Sequence, residues 1–133
     1  MSFPAYTHNR LVADAQLISL VPADRINFGT NGERVQSPSV FMDIISSNLA
    51  PIMENGTPSS ARNDNFELQV VVYARTLFDA WTIADRIRFV LESSPNPCKY
   101  ICRSQENTRE DFPDLQGVIL RLSAWYQSTT PSN

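Results

Sequence analysis

Four acidic side chains, Glu106, Glu110, Asp111 and Asp114, fall within one short stretch. Carboxylates grouped in this way bind hard cations or exchange protons. Arg103 and Arg109 are interleaved with them, and Pro113 breaks the run, so a solvated, partly self-neutralised loop is expected instead. The single histidine, His8, stands in what reads as an extended arm. Two cysteines, Cys98 and Cys102, stand four apart. On a strand they share a face roughly 13 Å apart, too far for a disulfide. A zinc site needs more ligands than these and one histidine supply, so free buried thiols are expected.

No G-x-S-x-G nucleophile turn and no glycine-rich phosphate loop occurs. The sequence therefore points to no catalytic residue, no cofactor site and no metal site, and a non-enzymatic protein is expected. Arg75, Arg86 and Arg88 with neighbouring aromatics resemble a stacking platform for single strands, although Arg88 is also spaced to pair with Glu92 one turn on. The formal net charge of −3, with Lys99 the one lysine, argues against a sequence-independent grip on phosphates.

The elements that must position these residues follow from periodicity. The 133 residues suit one domain, 1–133, and 42% hydrophobic with 19% charged residues describe an ordinary globular composition. An extended N-terminal arm, 1–8, precedes a helix from Asn9 to Leu20, capped by Thr7 or Asn9 and ended by Pro22. An extended piece, Arg25 to Phe28, leads into the turn residues Gly29, Asn31 and Gly32. Ser39 to Ser47 alternates as a strand.

The Pro-, Gly-, Ser- and Asn-rich segment 48–64 has neither period and reads as a long loop, functional or mobile. Within it Asn55-Gly56-Thr57 matches a glycosylation acceptor and is read as a turn. Phe66 to Arg75 is a strand, and Thr76 with Asp79 forms a capping-box spacing ahead of a helix to Glu92. Cys98 to Arg103 is a strand, Ser104 to Asp114 a charged loop, Leu115 to Gln127 a last strand, and 128–133 a loose tail. The fold class expected is α+β: a mainly antiparallel sheet packed against two main helices, in the order α-β-β-β-α-β-β.

The second helix carries more apolar groups than one face requires. Leu77, Ala80, Trp81, Ile83, Ala84, Ile87, Val90 and Leu91 point to the sheet, yet Phe78 and Phe89 share the opposite direction, with Thr82 and Asp85 between them. Ile119 and Trp125 stand likewise opposite the core face of the last strand. Either the first helix or the long loop covers these groups, or another subunit does. The amino terminus MSFPAYTHNR has no basic region followed by an apolar core, and no run reaches membrane-spanning length. A reducing cytoplasm is therefore expected, with no membrane partner.

In element order, the first helix, ADRINFG, PSVFMDIISS, the long loop, FELQVVVYARTLFDAWTIADRIRFVLE and RLSAWYQS together resemble the tail terminator, or tail completion, proteins of long-tailed bacteriophages. The A-x-x-I-A-x-x-I pattern of Ala80, Ile83, Ala84 and Ile87 is the most specific part. The resemblance covers nearly the whole chain and implies a structural role in the virion tail or neck, with assembly in the host cytoplasm. Subunits would form a homo-oligomeric ring, commonly hexameric, that caps the tail tube and docks the head completion or connector protein, while DNA passes through the channel unread.

On that reading Phe78, Asp85, Arg86, Phe89, Ile119 and Trp125 belong to subunit interfaces. Pro51, Ile52, Met53 and Arg62 belong to a loop that contacts tube or connector. Other neck proteins that join head to tail are the near alternative. A monomeric α+β nucleic-acid-binding module is the alternative from another class.

Overall fold

The computed structural model describes residues 2–29, 37–48, 51–54, 57–95, 97–108 and 114–129, with the backbone alone described at 51–54, 57–62 and 128–129. The chain begins with two short helices, α1 (Phe3–Val12) and α2 (Ala15–Leu20), and one 3-10 turn, Ala23–Arg25. Strands β1 (Ile26–Phe28), β2 (Ser39–Asn48), β3 (Pro51–Glu54) and β4 (Thr57–Ala74) follow. Helix α3 (Leu77–Glu92) and strands β5 (Cys98–Asn107) and β6 (Gln116–Thr129) come last in the element order.

The sheet runs in the order β1-β2-β4-β6-β5, with β3 also paired to β4. Its pairings are antiparallel except the short β1–β2 pair, which is parallel. The expected α+β class is what forms, and the helices lie over one face of the sheet.

The core is the inward side of three central strands against α3. Leu68, Val70, Val72 and Ala74 of β4 and Val118, Leu120, Leu122 and Ala124 of β6 are all buried, as period-two alternation requires. Ala80, Ile83, Ala84, Ile87, Val90 and Leu91 of α3 meet them. Thr76 caps this helix, its Oγ1 accepting the Asp79 N–H at 3.1 Å.

The amino terminus departs from the expected extended arm. Ser2 caps α1 by accepting the Ala5 N–H, and Pro4 stands in the first turn, where its missing donor costs nothing. Phe3 is buried and stacks on Phe66 with ring centroids 4.3 Å apart, so the start of the chain is anchored. Thr7 is not a cap; it is buried and its hydroxyl shares a 2.8 Å hydrogen bond with the Tyr100 hydroxyl. His8 is likewise placed, its Nε2 lying 2.9 Å from the Ile26 carbonyl. The single helix expected from Asn9 to Leu20 is two helices, because Asp14 takes extended angles and caps α2 by accepting the Leu17 N–H at 2.9 Å.

The segment 48–64 is the larger correction, because its described residues lie in strands and not in a loop. Register partners run from Ser39↔Tyr73 through Asn48↔Asn65 and Pro51↔Arg62 to Glu54↔Thr57. Strands β2 and β3 are thus consecutive parts of one arm of a long hairpin, with β4 as the other. Strand β6 follows β4 out to Ala61↔Thr129. The expected turn at Asn55-Gly56 lies outside the described residues, between the partners Glu54 and Thr57.

The charged loop expected from Ser104 begins later, since β5 continues to Asn107 past a register shift between Cys102 and Ser104. Asn31, Gly32, Arg109, Glu110, Asp111 and the tail residues 130–133 also lie outside the described residues.

Candidate interaction surfaces

Among the described residues, the outer side of α3 carries the most exposed aromatic groups. Phe78 is 80% and Phe89 59% exposed, so the first helix does not cover them. Eleven residues of α-helix bring the two rings to nearly the same direction about 16 Å apart along the axis. Thr82 and Asp85 lie between them, both exposed. Asp85 accepts from Gln105 Nε2 at 2.8 Å, which ties the stripe to β5.

Arg86 is engaged within the chain. Its Nε and Nη2 each donate to one carboxylate oxygen of Asp14 at 2.8 Å, a two-point bridge between α3 and the cap of α2. The same guanidinium stands 4.9 Å from the centroid of the Phe89 ring, a cation–π distance. The hydrogen bonds from Arg86 hold the Asp14 carboxyl below its usual range, and Asp14 in turn raises the Arg86 pKa. Arg88 lies 3.6 Å from Glu92, the expected pair one turn on.

Ile119 and Trp125 occupy a different surface. Both are half-buried on the sheet face away from the helices. Register sets Ile119 beside Val71 and Glu106, and Trp125 beside Asn65 and Lys99. The Arg103 guanidinium stands 5.9 Å from the Trp125 ring. Ile45 and Ile101, 51% and 44% exposed, extend this face. Among the described residues no element covers it. The six expected interface residues therefore divide between two opposite sides of the molecule, four on the helix layer and two on the bare sheet face. Sequence reasoning missed Ile45 and Ile101, whose exposure depends on where the helices sit.

The expected tube-contact residues Pro51, Ile52, Met53 and Arg62 lie on the β3–β4 hairpin by backbone position. Their side chains are outside what is described.

Of the candidate acids, Glu106 lies in register with Ile119 on β5 and Asp114 is exposed before β6. Among the described residues no three His, Cys, Asp or Glu side chains gather as a metal set. A cleft of about 380 Å³, lined by Ser19, Leu20, Ser37, Pro38, Ala74, Arg75, Asp79, Thr82 and Ile83, contains none of those acids.

Cys98 and Cys102 are free thiols, the first buried and the second half-buried. Burial pushes the Cys98 thiol up to about 11 and raises that of Cys102, where Glu92 adds to the effect. No helix among the described residues is long and apolar enough to cross a membrane.

Among the described residues, these features define a one-layer sheet with helices on one side and exposed apolar groups on two opposite sides. No protein-family model and no curated protein matches the sequence. A chain in the virion of a native gene transfer agent particle shares the fold, with a TM-score of 0.66 and 13% identity over 96% of each chain. A protein from Akkermansia muciniphila superposes at a TM-score of 0.37 and 13% identity, over 97% of this chain and 81% of that one, too distant to inform the comparison.

Proposed function

We propose that this protein is a structural component of a phage-like particle and, more specifically, a tail terminator: a subunit of a ring, commonly of six, that caps the tail tube and presents a face to the head completion or connector protein. The observation that carries this reading is the shared fold, end to end, with a chain of a gene transfer agent virion. The two opposed apolar surfaces support it. In a ring each subunit uses two different patches, one against each neighbour, and the α3 stripe and the bare sheet face form such a pair. The β3–β4 hairpin would contact the tube or connector. DNA would pass through the channel without being read.

The bare face also carries Arg103 and Arg121, which a nucleic-acid-binding module would use. Glu67 and Glu106 lie on the same face by register, and their charge opposes a phosphate grip.

The test is the solution mass of the purified protein by light scattering across concentration, alone, with tail tube protein and with head connector protein. A closed oligomer that forms or tightens at tube ends is the expected result. Binding to the connector without the tube would indicate a different neck protein. A monomer under every condition, with steeply salt-dependent binding to single strands, would overturn the reading in favour of the nucleic-acid module.

A further inference from the structure

The outer stripe of α3 is a palindrome. Its exposed members are Phe78, Thr82, Asp85 and Phe89, with spacings of four, three and four residues. At 1.5 Å per residue they stand roughly 0, 6, 10.5 and 16.5 Å along the axis, within about 60° of one another around it. A second α3 laid antiparallel about a two-fold axis between Thr82 and Asp85 therefore sets Phe78 against Phe89 of the other copy, and Thr82 against Asp85. Each contact then occurs twice, the signature of an isologous interface.

The chemistry matches this geometry. Phe78 and Phe89 are the most exposed aromatic rings described, and offset or edge contacts between phenyl rings are favourable. One oxygen of Asp85 is used by Gln105 Nε2, which leaves the other as an acceptor. The Thr82 hydroxyl now donates to the Phe78 carbonyl at 2.9 Å, and turning it to a facing carboxylate exchanges a neutral acceptor for a charged one. Arg86 adds no net repulsion, since Asp14 neutralises it, whereas the two Asp85 carboxylates stand close to the two-fold axis and their repulsion weakens the pair.

We propose that the free protein pairs two-fold through α3 with a second copy of itself, and that this pairing competes with ring assembly. The proposal rests on the reading of the α3 stripe as a subunit contact. A stripe set against its own copy cannot also meet the sheet face of a ring neighbour, so subunits would stay paired until a tube end offers the stronger contact.

The four rings of a pair, at their present exposures, would cover roughly 400–700 Å². That is about a third to a half of a standard interface of roughly 1,200–2,000 Å², which makes the pair weak and readily exchanged.

Cross-linking tests the register. F78C and F89C are made separately in a C102S background and then mixed under mild oxidation. In the mixed pair the two new thiols face each other while the remaining Phe89 and Phe78 still meet. The expected result is a disulfide-linked dimer at least tenfold more abundant in the mixture than in either variant alone. The locked dimer should fail to cap tube ends and regain that ability on reduction.

Equal yields in the single variants, or no link while an oligomer persists, would overturn the two-fold register and leave the stripe as a contact of another kind. A strict monomer of the unsubstituted protein up to millimolar concentration would overturn the pairing itself. If the links form but the unsubstituted protein never engages tube ends, the tail terminator reading fails and the pairing stands.

Discussion

Asp14 serves two helices at once: its carboxylate caps α2 through the Leu17 N–H and closes a two-point bridge with Arg86 of α3, every contact lying between 2.8 and 2.9 Å. The packing of the amino-terminal helices on α3 is thereby tied to one ionised group. Asp14→Ala should lower stability by at least the value of a helix cap, about 1 kcal/mol. Arg86→Lys should retain part of the bridge, because an ammonium cannot make the paired contact.

The same carboxyl makes a pH prediction. Its folded-state pKa is lowered by Arg86, and next by the Leu17 N–H, so its stabilisation is full above the unfolded value of about 3.9. It is lost as pH falls through the lower folded value. The stability difference between the unsubstituted protein and Asp14→Asn should be constant from about pH 7 to 5 and shrink below about pH 4. Urea midpoints at pH 7, 5 and 3 measure it, and a difference that persists undiminished at pH 3 would contradict the assignment.

Phe78→Ser with Phe89→Ser removes two largely exposed rings and breaks no core contact, so the thermal midpoint should move little. Self-association should weaken at least tenfold by light scattering. An unchanged fold with unchanged assembly would rule out the proposed α3 contact.

Gly117 allows β6 to pass close to a neighbouring side chain and ring. A Cβ placed there would collide with Thr108 Oγ1 and lie 3.1 Å from the Tyr73 ring. Gly117→Ala should therefore cost about 1–3 kcal/mol through overpacking. Adding Thr108→Ala, which removes the colliding hydroxyl and methyl groups, should recover much of that loss in urea denaturation.

Cys98 is buried against the core with its thiol pushed up to about 11, so it should resist a thiol reagent at pH 8 until the protein unfolds. Cys102, half-buried and also raised, should react slowly in the native state. Mass spectrometry after timed labelling would count the adducts, and rapid modification of Cys98 in the folded protein would argue against its placement.

The central strands and α3 were legible because each has one buried face: Phe66 to Arg75 reads as alternation and Leu77 to Glu92 as a 3.6-residue period with a threonine cap. The amino terminus was not, since the anchor that fixes Phe3 is Phe66, far along the chain, and the Ser2 cap sits ahead of a weakly periodic helix. Beyond Arg103 the outer length of β5 is hidden in the sequence, because the register shift between Cys102 and Ser104 disrupts alternation. The outer stripe of α3 was legible as Phe78 and Phe89, but the bridge that occupies Arg86 required the position of Asp14. The strands within 48–64 are hidden for a different reason. They have no regular apolar alternation to reveal them, and only Asn55-Gly56, the strongest short hairpin signal, marked a reversal.

The outer hairpin is separable from the core. Pairings from Asn65 and Phe66 onward belong to the sheet beneath Phe3 and the helices, whereas Pro51–Glu54 and Thr57–Arg62 prolong it along β4. Replacing residues 51–62 with a two-residue Asn-Gly turn should therefore leave the core intact, since surface excisions tolerated by the closing geometry cost little. If the hairpin is the part that meets the tube, the shortened protein should fold with a thermal midpoint within a few degrees of the original and still self-associate through α3, but lose binding to tube ends in pelleting with assembled tubes. Retained tube binding would move that contact elsewhere on the molecule, whereas loss of the fold would show that β4 needs its outer length to hold β6 in register.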